Sequence, residues 1–495
     1  MLIDCRIVIL TLALLLTGCG GWAPVAVAPL PLPPLAEQWQ QTASSATGSA
    51  ASTPAAVATP TEYPTDSATE NDPDQPWLAS FADVTLDALV AEALAANATL
   101  AEAQARLREG EGAAQVAGAP RQLQLDAALQ AGRARRNSQT ANSFSAEFGL
   151  SWEADLWGRL SAAAQAAVID RDALALELRA AQLSLAANVA KAWFAAVEGR
   201  QQQGLSEQLV SNLSQSLQVL EEGYRNGLVA ALDIHLARAN LATERSRLAD
   251  RRRTLGDQLR ALQLLLGRYP SRALMVPAQL PRLPAAVPAG LPSQLLTRRP
   301  DIRAAAARLE SAERRQHASH QDRFPRFSLS ASLGGSSDEL SNLLSQQNLF
   351  WSLFGNLAQP LLDGGRLEGL ERQAAARLEQ AQARYVDSLL SAFAEVEGAL
   401  EQERELQHLT QALELSVQES DLAEALAYEQ YRQGLVDIVT ALESQRRAFT
   451  ARSSYIAARN QQLQNRIDLY LALGGDFAAA ASPIQTDMRS NDDQS

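Results

Sequence analysis

The sequence has little of what a catalytic, disulfide-linked or nucleic-acid-binding protein needs. Its two cysteines, Cys5 and Cys19, both lie in the first nineteen residues, so they cannot form a disulfide framework. The 495 residues carry a net charge of −13, and no cluster of basic residues offers the footprint that nucleic acid requires. Gly-rich phosphate loops, nucleophile elbows and HExxH motifs are also missing. We therefore expect no enzymatic activity, no resident cofactor and no nucleic-acid partner.

Two pairs of ionisable residues are the remaining candidates for chemistry, and neither completes a site. His317 and His320 lie three residues apart on a predicted helix and could offer two metal ligands. No cysteine or acidic cluster accompanies them, so we expect a solvated pair and no metal site. Glu395 and Glu397 lie two residues apart on another predicted helix, so they point to different faces and cannot form a catalytic pair.

The N-terminus is typical of a signal peptide, predicted over residues 1–18. The apolar run from Ile7 to Leu16 is too short to span a bilayer as a mature helix. It ends in Leu16-Thr-Gly-Cys19, which resembles the lipobox of bacterial lipoproteins. That resemblance implies cleavage before Cys19, N-acyl and S-diacylglycerol lipid (palmitate included) on this residue, and, with Gly20 next, sorting to the outer membrane. The alternative is a free Cys19 in an ordinary signal peptide.

A tandem duplication fills the chain between two low-complexity ends. Tyr224-Arg-Asn-Gly-Leu-Val229 returns as Tyr431-Arg-Gln-Gly-Leu-Val436, and the offset of 207 residues also relates Gly158-Arg-Leu160 to Gly365-Arg-Leu367. The flanking segments bury too little apolar surface to offset the cost of ordering them. The predicted divisions are a Pro/Ala/Ser/Thr-rich tether over 19–76, a first repeat over 77–267, a connector over 268–294, a second repeat over 295–475 and a flexible tail over 476–495.

Each repeat contains a predicted strand hairpin, at about 120–156 and 325–360. Apolar and polar residues alternate there with a period of two, which gives each strand one apolar and one polar face. Such strands fit either a soluble antiparallel sheet with one wet face or a membrane barrel. Four strands cannot close a lipid-spanning barrel, and open edges are not tolerated in lipid. If the strands are transmembrane, the protein must oligomerise, and three copies would supply twelve strands.

Long helical hairpins follow the strands, at about 159–267 and 366–474. Apolar or small residues recur there at spacings of three and four, which indicates coiled-coil-like packing. Each outgoing run would be roughly 95 Å long at about 1.5 Å per residue. The twin Tyr-Arg-x-Gly-Leu-Val segments are the predicted turns, where Gly227 and Gly434 can take a positive φ.

The duplicated strand and helix hairpins, together with the lipobox, resemble the TolC-like outer-membrane factors, and specifically the NodT/OprM-like lipoproteins of resistance-nodulation-division efflux systems. Three motifs carry the resemblance: Arg298-Arg-Pro-Asp-Ile-Arg-Ala-Ala305, Leu264-Leu-Leu-Gly267 and Gly227-Leu-Val-Ala-Ala-Leu-Asp233. The resemblance implies a mainly α fold, in which the duplicated helical hairpins form a trimeric α-barrel. It also implies that four β-strands per protomer enter a shared twelve-stranded outer-membrane barrel, through which solutes are exported without any reaction.

The resemblance also implies partners and site residues at the turns. The homotrimer would dock a periplasmic adaptor (membrane fusion) protein that connects it to an inner-membrane pump. The turn residues implied for docking are Tyr224, Gly227, Leu228, Val229, Gly434, Leu435 and Val436. The residues implied for the channel constriction are Asp233 bonded to Tyr431, with Thr440 and Glu443.

Three copies of Glu443 around a threefold axis would repel one another, raise their pKa values and offer a cation site. The alternative is that Glu443 is an outward-facing surface acid. The two turns differ at 230–233 and 437–440, and this asymmetry is the predicted basis of gating.

Other functions stay open at this point. The channel could serve a type I protein secretion or heavy-metal efflux system, and the sequence does not name the exported compound. A lipid-anchored coiled-coil scaffold or adhesin and a periplasmic enzyme on an α+β fold are the hypotheses from other classes.

Overall fold

The computed structural model describes residues 25–29, 77–136, 139–271, 274–287 and 298–475. The predicted signal peptide with Cys19, nearly all of the tether and the predicted tail lie outside these residues. The described helices are α1 Val84–Ala96, α2 Ala98–Gly118, α3 Arg159–Arg225, α4 Ala231–Leu265, α5 Pro300–Gln321, α6 Arg366–Arg432 and α7 Ile438–Ala472. The strands are β1 Gln124–Arg136, β2 Gln139–Ala154, β3 Arg326–Ser337 and β4 Leu349–Ala358, and short 3₁₀ helices occupy Trp77–Phe81, Ala119–Arg121 and Leu340–Asn342.

The helical hairpins repeat with the same dimensions. Both α3 and α6 have 67 residues, and both α4 and α7 have 35. The predicted helical hairpins are therefore confirmed as pairs of helices. Within the part of the chain that the structure describes, no single helix is long and apolar enough to cross a membrane, although the bent pair Val84–Ala96 and Ala98–Arg121 together meets that test by length and composition.

Two compact units divide the chain, and each draws on both repeats. The first unit takes the described parts of 1–33, 105–176 and 302–388, and the second takes the described parts of 34–104, 177–301 and 389–495. Equivalent segments of the two repeats are therefore found in the same unit.

The first unit is built on one antiparallel sheet in the order β1-β2-β3-β4. Its register places Phe148 opposite Ala127 on one side and Leu333 on the other, and Leu333 opposite Trp351. These residues share one face because side chains alternate along a strand. Phe148 is 58% exposed and Trp351 is 77% exposed, so the apolar face lies open in the single protomer.

The opposite face of the sheet is lined mostly by small polar side chains. Ser332 and Ser352 are joined through their hydroxyls at 2.7 Å, and Asp126 and Glu147 lie on the same face. Phe354 also lies there, so β4 breaks the alternation that β1–β3 keep. Only one flank of β1 and one flank of β4 are paired, and among the described residues no strand covers the other flank of either.

A buried carboxylate, Glu371, joins α5 and α6 in the first unit. Glu371 is fully buried and accepts hydrogen bonds from Arg323 Nη1 at 2.7 Å, while its Oε1 lies 3.0 Å from His320 Nδ1. The predicted solvated histidine pair is therefore wrong for His320, which is buried, although His317 is exposed. The sequence pattern of α5 alone does not show the burial, because the covering residue comes from α6.

The second unit has its largest core around Trp193 and Phe194, which are both fully buried. The indole of Trp193 donates to Asp83 Oδ2 at 2.7 Å, and Asp83 Oδ1 caps the N-terminus of α1 by accepting from Leu86 N–H at 3.1 Å. One aspartate therefore both begins a helix and joins it to α3.

Arg299, in the Arg-Arg-Pro-Asp motif at the start of the second repeat, joins three segments of the second unit. Its guanidinium is bonded to Asp301 at 2.7 Å, to Glu395 of α6 at 2.6 Å and to the carbonyl of Ala472 at 3.1 Å. Pro300 follows as the first residue of α5, a position that suits its fixed φ. The motif thus connects the start of α5 with α6 and the end of α7.

Candidate functional site

The first repeated turn closes the hairpin of α3 and α4 within the second unit. Gly227 has a φ of +75°, as the sequence predicts for a chain reversal. Its N–H donates to the Tyr224 carbonyl at 3.0 Å, and the N–H of Leu228 donates to the Gly223 carbonyl at 2.9 Å. These two bonds form a Schellman cap, which satisfies the last carbonyls of α3.

The second turn closes α6 and α7 with the same cap. Gly434 has a φ of +73°, and its N–H donates to the Tyr431 carbonyl at 2.9 Å. The N–H of Leu435 donates to the Gln430 carbonyl at 2.9 Å. Both repeats need the same Schellman cap with a glycine at positive φ, which explains why the Tyr-Arg-x-Gly-Leu-Val segment occurs twice.

The two returning helices begin with different caps. Asp437 is the N-cap of α7 and accepts from the Thr440 N–H at 2.8 Å and the Thr440 hydroxyl at 2.7 Å. The equivalent N-cap of α4 is Ala230, which forms no side-chain cap, and Asp233 stands where the second turn has Thr440. Hydrogen bonds from Thr440 lower the pKa of Asp437 below its ordinary 3.8. The second turn is thus fixed by a side chain where the first is not.

The twin tyrosines have different surroundings. Tyr431 is half-buried against a cluster that we name the tip core, whereas Tyr224 is 50% exposed. Burial raises the pKa of Tyr431, and the nearby charge of Asp233 raises it further. The buried residues of the tip core are Leu209, Leu213, Leu220, Ile234, Ala237, Leu241, Ile438, Ala441, Leu442 and Phe449.

The predicted bond between Asp233 and Tyr431 is not made in this protomer. Asp233 is near enough for its charge to affect the hydroxyl, yet no hydrogen bond joins these two described side chains. The pair stays a predicted constriction. The Tyr431 hydroxyl is protonated at neutral pH, as an ordinary tyrosine is, and is able to donate.

Glu443 has basic partners on its own helix. Its carboxylate accepts from Arg446 at 2.6 and 2.8 Å and from Arg447 at 3.0 Å. Hydrogen bonds from Arg446 and then Arg447 lower the pKa of Glu443 from 4.5 to about 2. Within one protomer the pKa is therefore lowered, because residues three and four positions on are close enough to pair. The rise expected from three copies around a threefold axis stays a prediction. Thr440, one turn earlier, is exposed.

The apex of each turn presents apolar side chains to solvent. Leu228 is 80% exposed and Leu435 is 69% exposed, while Val229 and Val436 are half-buried. Val229 contacts the tip core, so the first turn is anchored by its valine and exposes its leucine. An exposed leucine at a fixed turn is suited to contact a partner.

Sequence reasoning missed a cleft of about 630 Å³ beside the tip core. Arg452 lies in it between two acids, at 2.8 Å from Asp421 and 2.9 Å from Glu424. Its wall includes Tyr428, Tyr431 and the buried Gln445. Burial raises the pKa of Tyr428, against a hydrogen bond with Ser216. The cleft needs three helices to form, so no local pattern could have identified it.

Among the described residues, no group of three or more His, Cys, Asp and Glu side chains could hold a metal ion. The site therefore consists of two capped turns, a half-buried tyrosine near an acid, and a polar cleft.

The comparisons with known proteins agree with one another. A family model described as outer membrane efflux protein matches residues 89–268 and 291–475. The pyoverdine export outer membrane protein OpmQ of Pseudomonas putida KT2440 is 30% identical over 436 residues, which cover 84% of this chain and 92% of that protein. The cation efflux system protein CusC of Escherichia coli K12 is 28% identical over 412 residues, 82% of this chain and 90% of that protein. Among solved structures, the outer membrane protein VceC of Vibrio cholerae matches with a TM-score of 0.76 at 26% identity, covering 81% of this chain and 99% of that one.

Proposed function

The chain belongs to the outer membrane efflux protein family, and from that premise we propose that it is the outer-membrane channel of a tripartite efflux system of the resistance-nodulation-division type. The observation that carries this is the match of the family model to both repeats, 89–268 and 291–475. The proteins it resembles are named for export and efflux. The protein conducts solutes outward and performs no reaction on them.

A homotrimer is the proposed assembly, because the sheet has two unpaired edges and an open apolar face. Lipid tolerates neither an open edge nor an unpaired backbone group. Three four-stranded sheets joined β1 to β4 would close a barrel of about twelve strands, with the serine-rich face toward the lumen. The helical hairpins of the three copies would then form the periplasmic tunnel.

The proposed partners are a periplasmic adaptor protein and, through it, an inner-membrane pump. The turns suit the adaptor contact because Leu228 and Leu435 are exposed on backbones fixed by Schellman caps. The heavy-metal and type I secretion alternatives use the same channel and differ in the pump. The lipid-anchored scaffold has no support from the comparisons.

The proposed membrane anchor is lipid on Cys19, in addition to the inserted strands. Residue 25 of the same segment is bonded within the unit that carries the sheet. Cys19 lies six residues before Val25, so a lipid on it would be attached within an extended span of about 20 Å of a residue in that unit.

Crosslinking between sheet edges tests the trimer. Cysteines at Gln130 of β1 and Ser352 of β4, treated with a short bis-maleimide in membranes, should give covalent dimers and trimers and nothing larger. A matched control places cysteines at Ser145 of β2 and Ser336 of β3, which are opposite each other in the sheet and should crosslink only within a protomer. A monomer recovered in the aqueous fraction, without channel activity in planar bilayers, would overturn the proposal.

A further inference from the structure

Two arginines extend the apolar face of β1 toward the turn of its hairpin. Arg133 and Arg135 follow Leu129 and Ala131 at a spacing of two, so all four side chains stand on one face of the sheet. The intervening residues on the polar face are Gly132 and Ala134. The two positive charges therefore lie on the apolar face of β1, next to Gly132 and Ala134, which are small and neutral, on the polar face.

The arginines begin where the apolar band ends. Ala131 is opposite Phe144, the last aromatic residue of the band on β2, whereas Arg133 is opposite Asn142. From Phe144 to Trp152 the band measures about 27 Å along the strand, and the usual tilt of barrel strands reduces this to roughly 21 Å, near the apolar height of an outer-membrane barrel. The arginines thus stand at the height of the lipid headgroups.

These headgroups belong to the outer leaflet. The strands join helices at Gln124 and Ala154, and the arginines stand at the opposite end of the hairpin. Because the helices extend into the periplasm, the turn end of the hairpin faces the exterior. The surface met there is the outer leaflet of the outer membrane.

Neither arginine is neutralised within the part of the chain that the structure describes. Both are exposed, and neither forms an ion pair or a side-chain hydrogen bond with another described residue. A guanidinium presents parallel N–H donors that match the oxygens of a phosphate, and it binds one more strongly than it binds a neutral acceptor. An uncompensated pair of such groups beside lipid is suited to an anionic headgroup.

We propose that Arg133 and Arg135 form a binding site for phosphate groups of the outer-leaflet lipid, which we name the phosphate rim. The proposal rests on the proposed function, since it needs β1 to be transmembrane. Contact with lipid phosphates at this height would fix the vertical position of the barrel from the outer leaflet. The competing explanation is that the arginines only repel unwanted pairing along an edge strand.

The test compares purified wild-type trimer with Arg133→Gln/Arg135→Gln. Binding of a phosphorylated glycolipid from mixed micelles is measured by native mass spectrometry and by the shift in melting temperature. Affinity of the double variant should fall roughly 30-fold, since each arginine near an anionic lipid surface gives about a five-fold gain. The charge-matched control Arg108→Gln/Arg121→Gln, exposed residues at the helix end of the strands, should bind as wild type does.

For the chemically dephosphorylated glycolipid, wild type and the double variant should have the same affinity. Equal binding of the phosphorylated lipid by wild type and double variant, with both forming conducting trimers, would overturn the phosphate rim and leave the channel function intact. An equal melting shift with inorganic phosphate alone would also overturn it, because the site would then not be specific for lipid. Wild type that forms no trimer would instead count against the proposed function itself.

Discussion

Glu371 accepts a hydrogen bond of 3.0 Å from the backbone N–H of Val25, which lies 346 positions earlier in the chain. The carbonyl of Val25 accepts from Gln316 Nε2 at 2.7 Å, so both backbone polar groups of this residue are bonded. Val25 lies six residues after Cys19, and an extended chain of that length spans about 20 Å. A lipid on Cys19 would therefore insert within that distance of Val25.

Replacing Glu371 by glutamine should loosen this attachment. Burial alone would raise the pKa of Glu371, but hydrogen bonds from Val25, Arg323 and His320 outweigh it and lower the pKa below 4.5. The stabilisation is then complete above about pH 4.5 and is lost as the pH falls through the lowered value. Glu371→Gln removes the charge at every pH and should cost about 1–3 kcal/mol in the free energy of unfolding.

Thermal unfolding in detergent and protease cleavage of the N-terminal segment are the two measurements for Glu371→Gln. The control is Glu368→Gln, which removes an exposed carboxylate paired, among the described residues, with Arg372, and it should change stability little. If both variants have the melting temperature and the cleavage rate of wild type, the contact between Val25 and Glu371 does not hold the N-terminal segment in place.

Cys19→Ser should abolish acylation, because the lipid is attached through the thiol. Radiolabelled palmitate should no longer enter the protein, and Cys5→Ser should label as wild type does, since it lies in the predicted signal peptide. Palmitate incorporation that persists in Cys19→Ser would show that the lipobox assignment is wrong.

Asp437→Ala should destabilise the start of α7, because Thr440 loses the acceptor for its N–H. Typical losses on removing such a cap correspond to about a five-fold faster opening of the first turn. Ala230→Asp is the reciprocal change and should slow opening at the start of α4. Hydrogen exchange of the tip amides measures both, and equal exchange at the two turns in wild type would contradict the asymmetry.

How far the sequence predicts this structure depends on how local each feature is. The turns at Gly227 and Gly434 were predictable because a helix reversal needs a positive φ, and the strands because alternation is visible within ten residues. The pairing of Glu443 with Arg446 was also within reach, since a spacing of three on a helix suffices. The contacts of Glu371 were not, because its partners are Val25, His320 of α5 and Arg323 in the turn after α5, and no periodicity relates them.

The pH response of Glu443 should depend on its two arginines. Because its pKa is lowered to about 2, the carboxylate stays ionised, and its contribution to stability is complete above about pH 4.5 and lost only as the pH falls toward 2. Single-channel conductance should therefore show no titration of Glu443 between about pH 7 and pH 4. In Arg446→Gln/Arg447→Gln the pKa should return toward 4.5, and a titration should appear.

The control for that titration is the triple variant with Glu443→Gln added, in which the transition should vanish. A transition of the same size in the triple variant would assign it to another acid. A transition already present in wild type, and absent in Glu443→Gln, would show that neighbouring copies raise the pKa as the sequence predicted.

The double variant Asp233→Ala/Tyr431→Phe should open the tip and raise single-channel conductance in planar bilayers. Tyr431 is half-buried against the tip core near Asp233, and its hydroxyl is a donor at neutral pH. Assembly that brings the two side chains together would therefore form a closing hydrogen bond. Tyr224→Phe is the matched control: it removes the hydroxyl at the same position of the other turn, where the ring is 50% exposed, and should leave conductance unchanged. If the double variant conducts no more than Tyr224→Phe does, the two residues do not close the channel.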